Sequence, residues 1–172
     1  MLSVLILTRN SEKLLANTLS VLVPAVVEGL VRRVVVVDQG STDESRLVAE
    51  GAGCALYSED ELTEALGALR TDWLLVLQPG ATLSDGWEDA VRRHMETSRV
   101  SARFTLQQER RLGLLGRLAA PKPSLNSGLL VRLDALNPLP KRGLELEGLP
   151  RRLKPVRLPQ IITPPQTTKG GA

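Results

Sequence analysis

The stretch VVVVDQGSTDES, residues 34–45, decides how the rest of the chain is read. Four consecutive valines do not alternate with polar residues, so they do not describe a strand with one wet face. They fit a strand covered on both faces, as in a parallel sheet. The apolar run stops at Asp38, Gly40 permits a tight turn, and Ser41 or Thr42 stands at a helix start. Such a strand delivers polar groups to the carboxyl edge of a sheet, where open α/β sheets bind their ligands.

Working outward from that stretch, residues 2–7 (LSVLIL) form a short branched run that predicts a strand, with a loop at Thr8, Arg9 and Asn10. Residues 11–27 have helical spacing, with Leu14, Leu15, Leu19, Leu22 and Val23 on one side. Ser11 is the expected N-cap, and Pro24 is expected to end or bend the helix. Strand, helix and strand together make a right-handed βαβ unit. Beyond residue 45 the theme repeats. A helix leads to Gly51, CALYS (54–58) is a weak strand, and residues 60–71 form a helix. DWLLVLQPGATL (72–83) is a strand with a turn, and residues 84–98 form a further helix. The alternation predicts an α/β protein with an open, mostly parallel Rossmann-type sheet flanked by helices. Its carboxyl edge collects Thr8 to Asn10, Asp38 to Thr42, and Gln78 to Ala81.

The second half is organised more loosely. RFTLQQERRLGLLGRLAA (103–120) reads as a basic amphipathic helix or as a strand then a helix, and LNSGLLVRLDAL (125–136) as a strand and turn. One domain is expected over 1–160, with a regularly alternating half at 1–95 and a divergent half at 96–160. Residues 161–172 are expected to be a loose tail.

Composition narrows the function classes. Trp73, Trp87, Tyr57 and Phe104 are the whole aromatic stock, too few for the stacking platforms of single-stranded nucleic-acid binders; nucleic acid is not an expected partner. One cysteine, Cys54, excludes an intrachain disulfide and a zinc cluster and fits a reducing compartment. No apolar run is long enough to span a bilayer, and the start lacks signal-peptide features. A cytoplasmic protein is expected. The basic residues crowd the second half, which leaves a peripheral contact with the inner face of a membrane open, beside a plain solvated surface. Trp87 is expected in the core, and His94, the one histidine, on a helix surface.

The three strand ends, taken in order, resemble the amino-terminal half of a family 2 glycosyltransferase with the GT-A fold. SVLILTRN is similar to the family's first strand and loop. VVVVDQGSTDES is close to its Val-Val-Asp-Asp/Gly-Gly-Ser-Thr-Asp. DWLLVLQPGATLSDGWEDAV is similar to its fourth strand and the Gly-Trp that follows, with Gly86 and Trp87 in register. The resemblance implies a nucleoside-diphosphate sugar as ligand and an acceptor that the sequence does not name. It implies that Thr8, Arg9, Asn10, Asp38, Gly40 and Ser41 bind the nucleotide, Asp38 by accepting a hydrogen bond from the base or ribose. Read from the residues alone, a turn or helix-entry cap is the alternative role for Asp38, and a loop-fixing side chain that for Asn10.

The likeness breaks where the chemistry should be. The family carries a carboxylate after its fourth strand that holds a divalent metal on the diphosphate. That position falls on Gly80, and the next carboxylate is Asp85, a turn later. Magnesium or manganese is therefore a poorer expectation than for the family, and no metal ligand is assigned. The family's general base falls on Leu146, flanked by Glu145 and Glu147, which become the candidate catalytic residues. Arg132, Arg151 and Arg152 are the candidates to stabilise a diphosphate without metal. Three readings stand: a glycosyltransferase, an inactive GT-A domain that serves as a binding or regulatory module, and a membrane or polyanion binder. Self-association into a homo-oligomer is left open.

Overall fold

The computed structural model describes residues 1–111, 124–137 and 145–165. In chain order the elements are β1 (Leu2–Thr8), α1 (Glu12–Val27), β2 (Val31–Asp38), α2 (Ser45–Gly51), β3 (Ala55–Ser58), α3 (Leu62–Gly67), β4 (Trp73–Leu77), β5 (Thr82–Leu83) and α4 (Trp87–Thr97). There follow β6 (Ala102–Leu106), α5 (Gln107–Arg111), β7 (Leu129–Arg132), α6 (Leu149–Leu153) and β8 (Val156–Thr163). The eight strands form one mixed sheet in the order β3-β2-β1-β4-β7-β6-β8-β5.

The valine run behaves as a doubly covered strand should. Val34 and Val36 face the layer of α1, packed among Leu15, Leu19 and Leu22, while Val35 and Val37 face the layer that holds Ala65 of α3 and Leu149 of α6. Burying each such side chain contributes about 1.5–3 kcal/mol. Strands β1 to β4 are all parallel, with β2, β1 and β4 in the register Val36, Ile6, Leu77. β7 then runs antiparallel to β4 and to β6, while β8 runs parallel to β6. The carboxyl ends of β1, β2, β4, β6 and β8 thus share one edge with the start of β7.

Several expectations are corrected by packing. Helix α1 continues through Pro24 to Val27. Its buried face is Leu15, Thr18, Leu19, Leu22 and Ala25, whereas Leu14 and Val23 are exposed. Ser11 makes no side-chain cap; its hydroxyl donates to the Arg9 carbonyl at 2.7 Å. The helix predicted over 60–71 is shorter, a 3₁₀ turn at Glu59–Glu61 leading into α3. Of the two readings of residues 103–120, the strand-then-helix form holds as far as Arg111; residues 112–120 lie outside the described residues.

β8 is the largest correction. Its sequence VRLPQIIT carries a proline and alternating polar residues, and nothing in it announced a strand. It lies inside the sheet, between β6 and β5, with Ile162 fully buried opposite Leu106. The boundary at residue 160 therefore falls inside a core strand. Residues 161–163 belong to the sheet, and 166–172 lie outside the described residues.

Candidate functional site

At the shared carboxyl edge, β1 and β2 end side by side, with Thr8 in register with Asp38. Both side chains are buried, Asp38 to 3% exposure. The Asp38 carboxylate accepts the Ser41 N–H at 3.2 Å from both oxygens, which closes the Gly40 turn. Gly40 has φ +79° with open space around it, so its absent side chain serves the backbone conformation. Arg46, half exposed on α2, places Nη1 3.4 Å from Asp38 Oδ2. Thr8 Oγ1 is buried and has no hydrogen-bond partner among the described residues. A buried orphan hydroxyl is costly, about 1–3 kcal/mol, unless a water or a ligand completes it.

The loops after β1 and β2 are bonded to each other. Asn10, in the left-handed region at φ +47°, accepts the Thr42 N–H through Oδ1 at 2.7 Å and donates its own N–H to Ser41 Oγ at 3.0 Å. Ser11 donates its N–H to Ser45 Oγ at 2.9 Å. Glu12 donates its N–H to Asp43 Oδ2 at 3.1 Å, and Asp43 Oδ1 accepts the Ser45 N–H at 3.0 Å. One carboxylate thus satisfies first-turn amides of both α1 and α2, in place of the cap expected from Ser11. Hydrogen bonds from the Ser45 hydroxyl, the Ser45 amide and the Glu12 amide hold the Asp43 carboxyl below its ordinary value. Asn10 and Ser41 are loop-fixing groups in this state, and Arg9 stands exposed beside them.

The turn after β4 differs from an open metal cradle. Gly80 has φ +85°, and a Cβ built on it would lie 2.9 Å from both Leu14 Cδ2 and Pro165 Cβ. Its N–H donates to Thr18 Oγ1 at 2.7 Å and to the Leu14 carbonyl at 3.0 Å. A carboxylate at this position has neither room nor an easy backbone, so the residues present do not fit the divalent ion of the resembled family. Asp85 is exposed beyond β5. Among the described residues, no group of three His, Cys, Asp or Glu side chains converges on a point that could hold a metal.

The second-half candidates are dispersed. Arg132 is opposite Trp73, which in turn is opposite Leu2, so it stands at the amino edge of the sheet. Six residues of strand, about 20 Å, separate that edge from Thr8. Arg132 is also engaged there. It donates to both oxygens of Asp134, at 2.8 Å for the shortest contact, and lies 5.8 Å from the Trp73 ring centre. This pair raises the Arg132 pKa and lowers that of Asp134. The expected diphosphate contact from Arg132 is therefore corrected, because the antiparallel course of β7 carries it away from the edge. Arg151 and Arg152 are exposed on α6, without an ion pair among the described residues. Glu145 and Glu147 are exposed, and Leu146 between them is buried in the core.

Sequence reading did not single out Glu109. Its carboxylate is buried at the start of α5, 3.0 Å from Arg103 and 3.9 Å from Arg157, with Oε1 unpartnered among the described residues. Burial pushes the Cys54 thiol pKa up, and the residue packs against the core. Trp87 is buried, and the His94 ring lies edge-on to Trp73 at 5.8 Å. An apolar groove of about 460 Å³ opens between α1 and α2, lined by Leu19, Val23, Val26, Val34, Val48 and Cys54. It is framed by the carboxyl-terminal parts of both helices, away from Thr8 and Asp38.

No family model matches the chain, and no curated protein matches it by sequence. Its fold does match solved structures. Glucosyl-3-phosphoglycerate synthase from Mycobacterium tuberculosis, in complex with Mn2+, UDP and glucosyl-3-phosphoglycerate, is similar at TM-score 0.64 and 19% identity, over 94% of this chain and 70% of that one. The same enzyme in a further crystal structure aligns at TM-score 0.66 and 18% identity, over 99% and 73% of the two chains. Its complex with Mg2+ and UDP gives 0.62 and 18%, over 96% and 69%.

The fold is of the GT-A type. Identities this low establish architecture, and a fold does not carry its activity with it. The GT-A sheet does explain the site's address. Thr8, Asp38 and Gly80 stand at the carboxyl ends of three neighbouring parallel strands, where such sheets present their ligand groups. Among the described residues no helix is long and apolar enough to cross a membrane.

Proposed function

We propose that this chain binds a nucleoside-diphosphate sugar, with the nucleoside against Thr8 and Asp38. The observation that carries the reading is the pairing, in register, of an orphaned buried hydroxyl with a buried carboxylate at the carboxyl edge of a GT-A sheet. Thr8 Oγ1 has no partner among the described residues. Asp38 retains acceptor capacity beyond the Ser41 amide, since an ionised carboxylate offers about four lone-pair sites. The Asn10–Thr42 and Ser11–Ser45 bonds pre-form the walls around the two residues, which reduces the ordering cost of binding. Arg9, Gly40 and Ser41 supply the exposed backbone and side-chain groups of the same edge. That the fold's solved neighbours hold UDP supports the ligand class.

In this reading the chain is a binding module first. The position matched to the family's base is the buried Leu146, and the position matched to its metal ligand is packed. Sugar transfer to an acceptor is the second reading. Its support is that Glu147, on the short 3₁₀ segment Leu146–Gly148, and Glu145, just before it, are both solvent-exposed carboxylates of the kind that takes a proton from an acceptor hydroxyl. Among the described residues, Arg151 and Arg152 are the exposed cations nearest in sequence to that segment, and serve equally an acceptor phosphate or an anionic surface.

Calorimetry with UDP, UDP-glucose, GDP and GDP-mannose tests the reading. Binding of one nucleotide class is expected, weakened about tenfold or more by Asp38→Asn, the loss of roughly one charged hydrogen bond. Absence of binding for all four at millimolar concentration would exclude it. Release of free nucleoside diphosphate from the sugar donor, abolished in a Glu145→Gln/Glu147→Gln double variant, would promote the transferase reading over the module.

A further inference from the structure

We propose that nucleotide uptake at this edge is independent of divalent cations, because the turn after β4 has become a packed joint between α1 and the end of β8. The proposal rests on the nucleoside reading of Thr8 and Asp38 and extends it to the diphosphate. Solved neighbours of the same fold hold Mn2+ or Mg2+ together with UDP. An ion of this kind needs an anionic oxygen projecting from the edge. At position 80 the volume of such a side chain is filled from two directions, by Leu14 of α1 and by Pro165 just after β8. The Gly80 N–H faces inward, shared by Thr18 Oγ1 and the Leu14 carbonyl. Thr18 is itself buried, and Ala81 is in the core beside it. Pro79 offers no N–H, and the Gln78 amide is neutral. The turn therefore presents no carboxylate where the ion would stand, and its Gly80 and Ala81 N–H groups are already bonded.

Charge balance agrees with this geometry. A buried carboxylate beside a diphosphate would repel it, and a divalent ion ordinarily offsets that repulsion. Here Arg46 stands 3.4 Å from Asp38 and remains half exposed. The Asp38–Arg46 pair is neutral without an ion. Arg46 offsets the repulsion that Asp38 would exert on a diphosphate, with the metal's Lewis-acid action on the leaving group left unsupplied.

The test uses the full chain and two readouts. Calorimetric titration with UDP and GDP is run once in excess EDTA and once in excess MnCl2. In parallel, the electron paramagnetic resonance signal of free Mn2+ is followed as chain is added, without nucleotide. Dissociation constants that agree within about twofold, with the free Mn2+ signal retained, are expected. A gain of about tenfold or more with Mn2+, reversed by EDTA, overturns the proposal. Tight capture of Mn2+ by the nucleotide-free chain, lost in Asp85→Asn, overturns it as well. Failure of both nucleotides to bind in either buffer, with the Mn2+ signal retained, removes the nucleoside reading instead and leaves the packed turn standing.

Discussion

Replacing Gly80 by alanine probes the joint beneath the candidate site with one methyl group. Two costs combine. A non-glycine residue at φ +85° pays about 1 kcal/mol or somewhat more in backbone strain. The added Cβ then meets Leu14 Cδ2 and Pro165 Cβ at 2.9 Å and the Pro165 Cα at 3.3 Å. Leu14 is an exposed, flexible side chain and can rotate away, but the proline ring and its backbone cannot, so overpacking of about 1–2 kcal/mol remains. The sum is about 2–3 kcal/mol, which for a chain of this size lowers Tm by about 4–12 °C. Gly53→Ala is the matched control: φ is +72° there with nothing within 4 Å of the added methyl, so only the backbone cost applies, about 2–4 °C. Differential scanning calorimetry of both variants separates strain from packing. Equal losses in the two would refute the contact between Pro165 and the turn, and with it the reasoning about the metal position.

Arg132→Gln should leave nucleotide affinity within about twofold of the parent in calorimetry, since Arg132 stands at the opposite edge of the sheet; a tenfold loss would show that the strand register is misread. Asp43 has its pKa lowered on folding, so its contribution is fully present above the ordinary value of 3.8 and is lost as pH falls through the lower folded value. Asp43→Asn should therefore lower Tm at neutral pH and flatten the decline of Tm below about pH 4, measured by thermal melts across the acid range; an unchanged acid slope would deny Asp43 that role.

The parts of the fold that were legible in the sequence are those in which burial is uniform. The run Val34 to Val37 reads as a doubly covered strand because both faces are apolar, and its end at Asp38 follows from the change in polarity. Leu2 to Thr8 and Trp73 to Leu77 read the same way. β8 was opaque because its partners set its course: Leu158 and Ile162 are buried while Arg157 and Pro159 are exposed, a pattern that names no element until β6 and β5 flank it. At the site, the turn chemistry of Asp38-Gln-Gly-Ser was legible from local rules. Arg46 was not, since reaching Asp38 depends on how α2 lies against the strand end. Arg132 was misplaced because strand direction, invisible in LLVR, decides which edge its side chain serves. Asn10 and Asp43 carried the right chemistry at the right loops. Their partners lie some thirty residues away, so only the folded chain shows that each ties one loop to the other.

The place of β8 has a consequence in time. It is the last described strand along the chain, yet it is an interior one, with β6 on one side and β5 on the other. Until it emerges and inserts, β5 has no hydrogen-bonding neighbour and the turn at Gly80 lacks Pro165. The amino-terminal strands, parallel and contiguous, can assemble earlier as the chain is made. A nascent chain halted before Val156 would then display the Asp38 edge on an unfinished sheet with an open margin at β6, the kind of margin that recruits stray strands. Completion of the site and protection from aggregation would arrive together, with the final strand.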